Sequence, residues 1–220
     1  MNVITDYIEY WQDRYDSILA YVLQHITISF VAIVLAVVII IPLAIYMTKM
    51  KNEKVKNAIF SISNILQTIP TIAMLALMIP FLGIGFKPAV AALFLYAVLP
   101  LLRNTYSGIK SIDQSIVESA KGMGFSAFQR ILIIEMPLAF PYIMSGIRTT
   151  SVYIISWAEL AAVVGAGGLG DLILAGIGFN DKKMIFTGTI LSILIALFLD
   201  VVLGRVEKNI LKKHKGGSTI

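Results

Sequence analysis

Apolar residues gather into five long stretches, and charged or polar segments separate them. The first, 26–47, carries no charge and one proline, Pro42. The second, 58–82, is polar in its first half through Ser61, Ser63, Asn64, Gln67 and Thr68, and prolines break it at Pro70 and Pro80. The third, 88–102, is short unless it runs on towards Tyr106, and the fourth, 147–164, holds one acid, Glu159. The fifth, 184–203, is charged only at Asp200. A helix needs about 20 apolar residues to cross the hydrocarbon core of a bilayer. Stretches one, two and five meet that length, whereas three and four need polar neighbours or shielded surroundings. The pattern predicts an all-α membrane protein with about five transmembrane helices.

Composition agrees. Hydrophobic residues make up 58% and charged residues 14% of the 220. Soluble domains run near 45–50% and 25%, and disorder requires the opposite bias. With no Cys, thiolate catalysis, disulfides and Cys-based metal sites are excluded, and two His leave little for a His-rich metal site; no metal site is expected. The net charge of +5 is explained by placement. Segments 49–57, 103–148 and the tail after 204 hold 14 of the 18 Lys and Arg. In a five-span chain these segments share one face, which the positive-inside rule makes cytoplasmic. The N-terminus, with Asp6, Glu9, Asp13 and Asp16, is expected outside and the C-terminus inside. The basic excess is therefore topological, and nucleic acid is not an expected partner.

The expected organisation is an extracellular segment 1–24, a transmembrane domain 25–204 with a cytoplasmic loop 109–146, and a basic tail 205–220 that is disordered from 212 onward. The start lacks the basic region of a cleavable signal. Tyr7, Tyr10, Trp11 and Tyr15 suit a short amphipathic helix at the outer membrane surface.

Loop 109–146 has the marks of a folded knob. Ile112, Ile116, Ala120 and Met123 recur at helical spacing, Asp113 can cap that helix, and Gly124 suits its C-terminal turn. Ser126 can cap a second helix, which Phe128, Ile131, Leu132 and Glu135 carry on to Pro137. Such a knob can dock on a soluble partner or pack on its own membrane domain.

Glu118-Ser119-Ala120, three residues, Gly124, nine residues and Ile134-Glu135-Met136-Pro137 resemble the EAA loop of bacterial ABC importer permeases. The spacing is the family's. Ser119 replaces its middle small residue and Met136 its Leu. The resemblance implies a type I permease fold in a bacterial cell membrane, with Glu118, Ser119, Ala120, Gly124 and Pro137 in the segment that couples to the ATPase. It implies cytoplasmic ATPase subunits that bind the ATP, a second permease subunit (identical or homologous) and an extracellular substrate-binding protein. Gln67-Thr68-Ile69-Pro70, the run from Leu99 to Tyr106, and that from Val164 to Asp171 resemble permeases of osmoprotectant importers for glycine betaine, carnitine and choline. Methionine importer permeases share the small five-span layout and a similar glycine stretch.

Gly165, Gly167, Gly168 and Gly170 also satisfy G-x-G-x-x-G, but they follow a membrane span rather than a strand. Asp171 stands where a phosphate loop needs Lys, and no Walker A sequence occurs in the chain. The glycines are expected to form a structural turn, re-entrant or capped by a short helix, over 165–178. No cofactor and no catalytic residues are expected in this chain.

Asn64, Gln67, Thr68 and Thr71 share the i, i+3, i+4, i+7 face of one helix and can line a wet passage or join helices. Glu159, an acid within a span, must face protein or water. Tyr153 and Trp157 could supply aromatic faces for a quaternary ammonium, although six positions turn a helix by about 240°, so one face cannot hold Tyr153, Trp157 and Glu159 together. An intramembrane enzyme would need a placed nucleophile, for which Ser156 near Glu159 is the best available. An ion-coupled carrier would need more than one intramembrane charge.

Overall fold

The computed structural model describes residues 3–215. Among them the chain is helical throughout, with no strand. Helix α1 (Val3–Lys49) is one continuous rod of 47 residues. At 1.5 Å per residue it is about 70 Å long, against a hydrocarbon core of about 30 Å. The expected short surface helix and the first span are thus a single element. No Gly lies between Val3 and Lys49, and the sole proline, Pro42, is accommodated within the helix.

The second apolar stretch is two helices, α2 (Glu53–Thr68) and α3 (Thr71–Leu82), bent by 106° at Ile69–Pro70. Pro70 cannot donate a helical hydrogen bond and drives Ile69 to an extended backbone, ψ 127°. Asn52 caps α2 by accepting from the Lys54 and Val55 amides. Helix α4 (Phe86–Lys110) does run past Tyr106, and its 25 residues span without assistance.

Segment 109–146 is only partly a loop. Helix α5 (Gln114–Gly122) is followed by α6 (Ala127–Arg130), a π turn (Ile131–Glu135) and α7 (Met136–Ala158), the last three in one unbroken helical path. The expected stop at Pro137 does not occur. Pro137 stands directly after the π turn, whose wider spacing gives the ring room within the continuous helical path. The fourth span therefore begins in the second half of the expected loop and closes with a 3₁₀ turn (Glu159–Val164). Helix α8 (Leu169–Phe179) follows the glycine turn, and α9 (Lys182–Lys215) is the last span. The tail expected to be disordered from 212 is helical to Lys215; residues 216–220 lie outside the described residues. Four described helices can cross a membrane by length and composition, or five with the bent α2–α3 pair counted as one.

The core lies where α1, α4 and α7 meet. Ile28, Ala32, Ala36, Ile40 and Ala44 repeat every four residues on α1 and are buried with Ala89, Ala92, Leu93 and Ala97 of α4. Lipid tails are as apolar as leucine, so small residues that bring backbones close supply packing that hydrophobicity alone does not. Helix α9 presents Ile190, Leu194 and Phe198 outward, an apolar surface suited to lipid.

Candidate coupling segment and transmembrane polar sites

Local hydrogen-bond chemistry builds α5. The Asp113 carboxylate accepts from the Ser115 amide at 2.8 Å, and that bond holds its pKa below the usual carboxylate value. At the other end the Phe125 amide bonds to the Ala120 carbonyl at 3.2 Å and the Gly124 amide to that of Lys121 at 3.0 Å. This paired closure needs a left-handed residue after the cap, and Gly124 has φ +86°. Ser126 opens the next helix in a reciprocal capping box with Gln129. The two expected caps and the glycine turn are all present.

Ala120 is buried, while Glu118 and Ser119 face outward. Met123 and Phe128, both 69% exposed, crown the turn with apolar surface, and Ile116 is exposed as well. Of the residues that recur at helical spacing, Ala120 is buried, whereas Ile116 and Met123 lie outside. Pro137 lies beyond this knob, at the base of α7. The carboxylate of Glu135, 2% exposed, is paired with Lys49 Nζ at 2.5 and 2.6 Å. Glu135 is the variable residue of Ile134-Glu135-Met136-Pro137, and the motif alone carries no sign of this pairing.

The four polar residues of the second stretch do not share a face. The break at Pro70 puts Thr71 on α3 and the other three on α2. Asn64 Oδ1 accepts from Arg103 at 2.7 Å, Gln67 donates to the Tyr96 carbonyl at 2.5 Å, and the Tyr96 hydroxyl donates to the Ile69 carbonyl. Two of the four thus tie α2 to α4. Thr68 donates to the Ile65 carbonyl of its own helix and is exposed, and Thr71 is half-buried.

Tyr153 and Trp157 stack at 5.6 Å between ring centroids, and Trp157 meets Tyr96 of α4 at 4.9 Å. Glu159 lies apart from them, bordering a cavity against α9. The separation expected from helix geometry holds. A second ionic clip joins α7 to α9, where Arg148 holds Asp200 at 2.5 and 2.7 Å with Glu207 at 3.6 Å.

The glycine run turns with φ values of +71°, +79° and +89° at Gly165, Gly167 and Gly168. The Gly168 amide donates to Gln24 Oε1 of α1 at 3.0 Å. Gly170 opens α8 against the preceding turn so closely that a Cβ there would lie 1.8 Å from the Glu159 carbonyl oxygen. The run turns the chain and packs it closely against α1 and the end of α7. Among the described residues no group of acids and histidines is arranged to hold a metal.

Residues 40–212 match the model of the family described as binding-protein-dependent transport system inner membrane component. The chain is 43% identical to the glycine betaine/carnitine/choline transport system permease protein OpuCB of Bacillus subtilis, over 88% of each chain. It is 44% identical to the choline transport system permease protein OpuBB of the same organism, over 85% of each. In fold it superposes on an inward-facing MetNI methionine ABC transporter structure with TM-score 0.80 at 22% identity, covering 88% of this chain and 95% of that one. With the family match spanning most of the chain, and with the helical path, apolar spans and capped segment 114–122 in place, the protein belongs to the family of binding-protein-dependent transport system inner membrane components.

Proposed function

We propose that this permease carries quaternary-ammonium osmoprotectants such as glycine betaine, carnitine and choline across the membrane, driven by ATP hydrolysis on a partner subunit. The observation that carries this reading is the 43–44% identity, over most of both chains, to relatives named for those solutes. The fold likeness to a methionine transporter, at 22% identity, supports the permease architecture and says nothing of the solute.

The knob of α5 and α6 is the site at which the ATPase acts. Its exposed Met123, Phe128 and Ile116 give a partner an apolar contact, and Glu118 and Ser119 are exposed on the same knob. A second permease subunit and an external binding protein complete the transporter. The N-terminus lies outside and the C-terminus inside, as the distribution of Lys and Arg favours. Asn64 and Gln67 serve chiefly to join helices, while Thr68, Thr71, Tyr153, Trp157 and Glu159 are the candidates for contact with the passage.

The test is uptake of radiolabelled glycine betaine, choline, carnitine and methionine by cells that lack other importers for them and express this chain with its neighbouring ATPase and binding protein. Saturable, ATP-dependent uptake of a quaternary ammonium supports the reading. Uptake of methionine alone would replace it with an amino-acid permease. A reporter fused after Ile220 and active only in the cytoplasm supports the orientation; activity outside would reverse it.

A further inference from the structure

Packing gives the carboxylate of Glu159 no counter-charge. Both of its oxygens are shut off from solvent, and the Ser192 hydroxyl stands beside them. The residue stands where α7 passes into the 3₁₀ turn, inside the span 127–164. An isolated carboxylate in hydrocarbon is costly, so such a group needs a counter-charge or a proton.

The surroundings say which kind of counter-charge fits. Glu159 borders a cavity of about 330 Å³ between α7, α8 and α9. Ile173, Ile193 and Leu197 give it apolar walls, and no Lys or Arg lines it. Of its hydroxyls, Ser156 donates to the Val152 carbonyl at 3.1 Å, while Ser192, 3.0 Å from the Gly188 carbonyl, is within reach of both that carbonyl and the Glu159 carboxylate. The Ser156 oxygen is therefore left as an acceptor. The site offers negative charge, lone pairs and apolar surface, and no cationic donor for an anion. A cation that carries methyl groups instead of N–H donors matches this set, because its charge needs no directed hydrogen bond and its methyls suit the isoleucine and leucine walls. The stacked rings of Tyr96, Tyr153 and Trp157 do not line the cavity, so the attraction here is that of the carboxylate.

We propose that Glu159 is the counter-charge for the onium head of the solute within the membrane, and that it biases the passage towards cationic over zwitterionic solutes. The proposal rests on the osmoprotectant reading. A zwitterion such as glycine betaine brings its own carboxylate, whereas choline has none and depends more on the protein's charge.

The experiment measures radiolabelled choline and glycine betaine uptake side by side, in proteoliposomes holding the complete transporter, and follows the ratio of the two. Glu159→Gln keeps the shape and removes the charge, and it should lower the choline-to-betaine ratio about tenfold relative to the wild type. Glu159→Asp should hold the ratio within about threefold. Ser156→Lys, on an exposed position of the same wall, should lower the ratio as well, and it tests the idea independently should the Glu159 variants assemble poorly. An unchanged ratio in Glu159→Gln and Ser156→Lys, with uptake of both solutes kept or lost alike, would overturn the proposal. Failure of the wild-type transporter to carry any quaternary ammonium would instead overturn the functional reading, and this inference with it.

Discussion

Lys49 Nζ, at the last residue of α1, lies 2.5 Å from Glu135 Oε2, in the π turn that opens the fourth span. The pair bridges 86 positions of sequence and sits directly behind α5, whose Gln114 and Val117 border the same hollow. Movement of α5 can thus be felt by α1 and α7 together.

Lys49→Met should leave the buried Glu135 carboxylate unpaired. Breaking a fully buried pair costs about 3–5 kcal/mol, and because Lys49 is partly exposed we expect about 2 kcal/mol here. Thermal unfolding in detergent should show the loss, and adding Glu135→Gln should restore part of it. A double variant as unstable as Lys49→Met would mean that the pair is not the source of the effect.

Gly124 has open space where a Cβ would stand, so its requirement is the backbone, φ +86°. Gly124→Val should strain the turn by about 1–2 kcal/mol, and Gly124→Asn by less, since Asn tolerates the left-handed region. Substrate-stimulated ATPase activity of the reconstituted transporter should fall in the order Gly, Asn, Val while membrane insertion is kept. Equal activity in all three would remove the turn from the coupling role.

Asp113 gives a pH dependence of known sign. Its folded pKa lies below the ordinary value of 3.8 because the carboxylate accepts the Ser115 amide. A depressed folded pKa stabilises the helix fully at pH well above the unfolded value, and the contribution disappears as pH falls through the folded one. Hydrogen exchange of the α5 amides should therefore quicken in acid relative to neighbouring helices, after correction for intrinsic rates. Asp113→Ala should show faster exchange at neutral pH and no such acid step.

Gly170 and Gly178 lie on the same helix, α8, and should respond oppositely to alanine. At Gly170 the new Cβ would meet a backbone carbonyl at 1.8 Å, which no rotamer change relieves. Gly170→Ala should cost about 3 kcal/mol and lower the yield of folded protein. Gly178 has nothing within 4 Å, so Gly178→Ala should stabilise by about 0.5–1 kcal/mol. Thermal unfolding of both variants checks the contrast.

Much of segment 113–126 was legible in the chain, since each of its devices is local. Asp113, Gly124 and Ser126 act on amides or backbone angles within a few residues, so residue type and spacing suffice to read them. The exposure of Met123 and Phe128 was not legible, because whether a short helix buries one side depends on what stands beside it. Spacing also misplaced Thr71, for it assumes one straight helix, and the 106° bend at Pro70 is where that assumption fails.

By itself the sequence determined the class of solvent, the approximate spans, the caps and the glycine turn. These follow from transfer free energy summed along contiguous residues and from hydrogen bonds that close within one turn. Only the tertiary structure decided the ties between Lys49 and Glu135, Arg148 and Asp200, and Arg103 and Asn64, separated by 86, 52 and 39 positions. It also decided that Trp157 packs at a tilt against Tyr96 while Glu159 lies towards α9. Helical periodicity gives each side chain an angle about its own axis, but which neighbour occupies that angle is set by how whole helices pack, and no local stretch of residues carries that information.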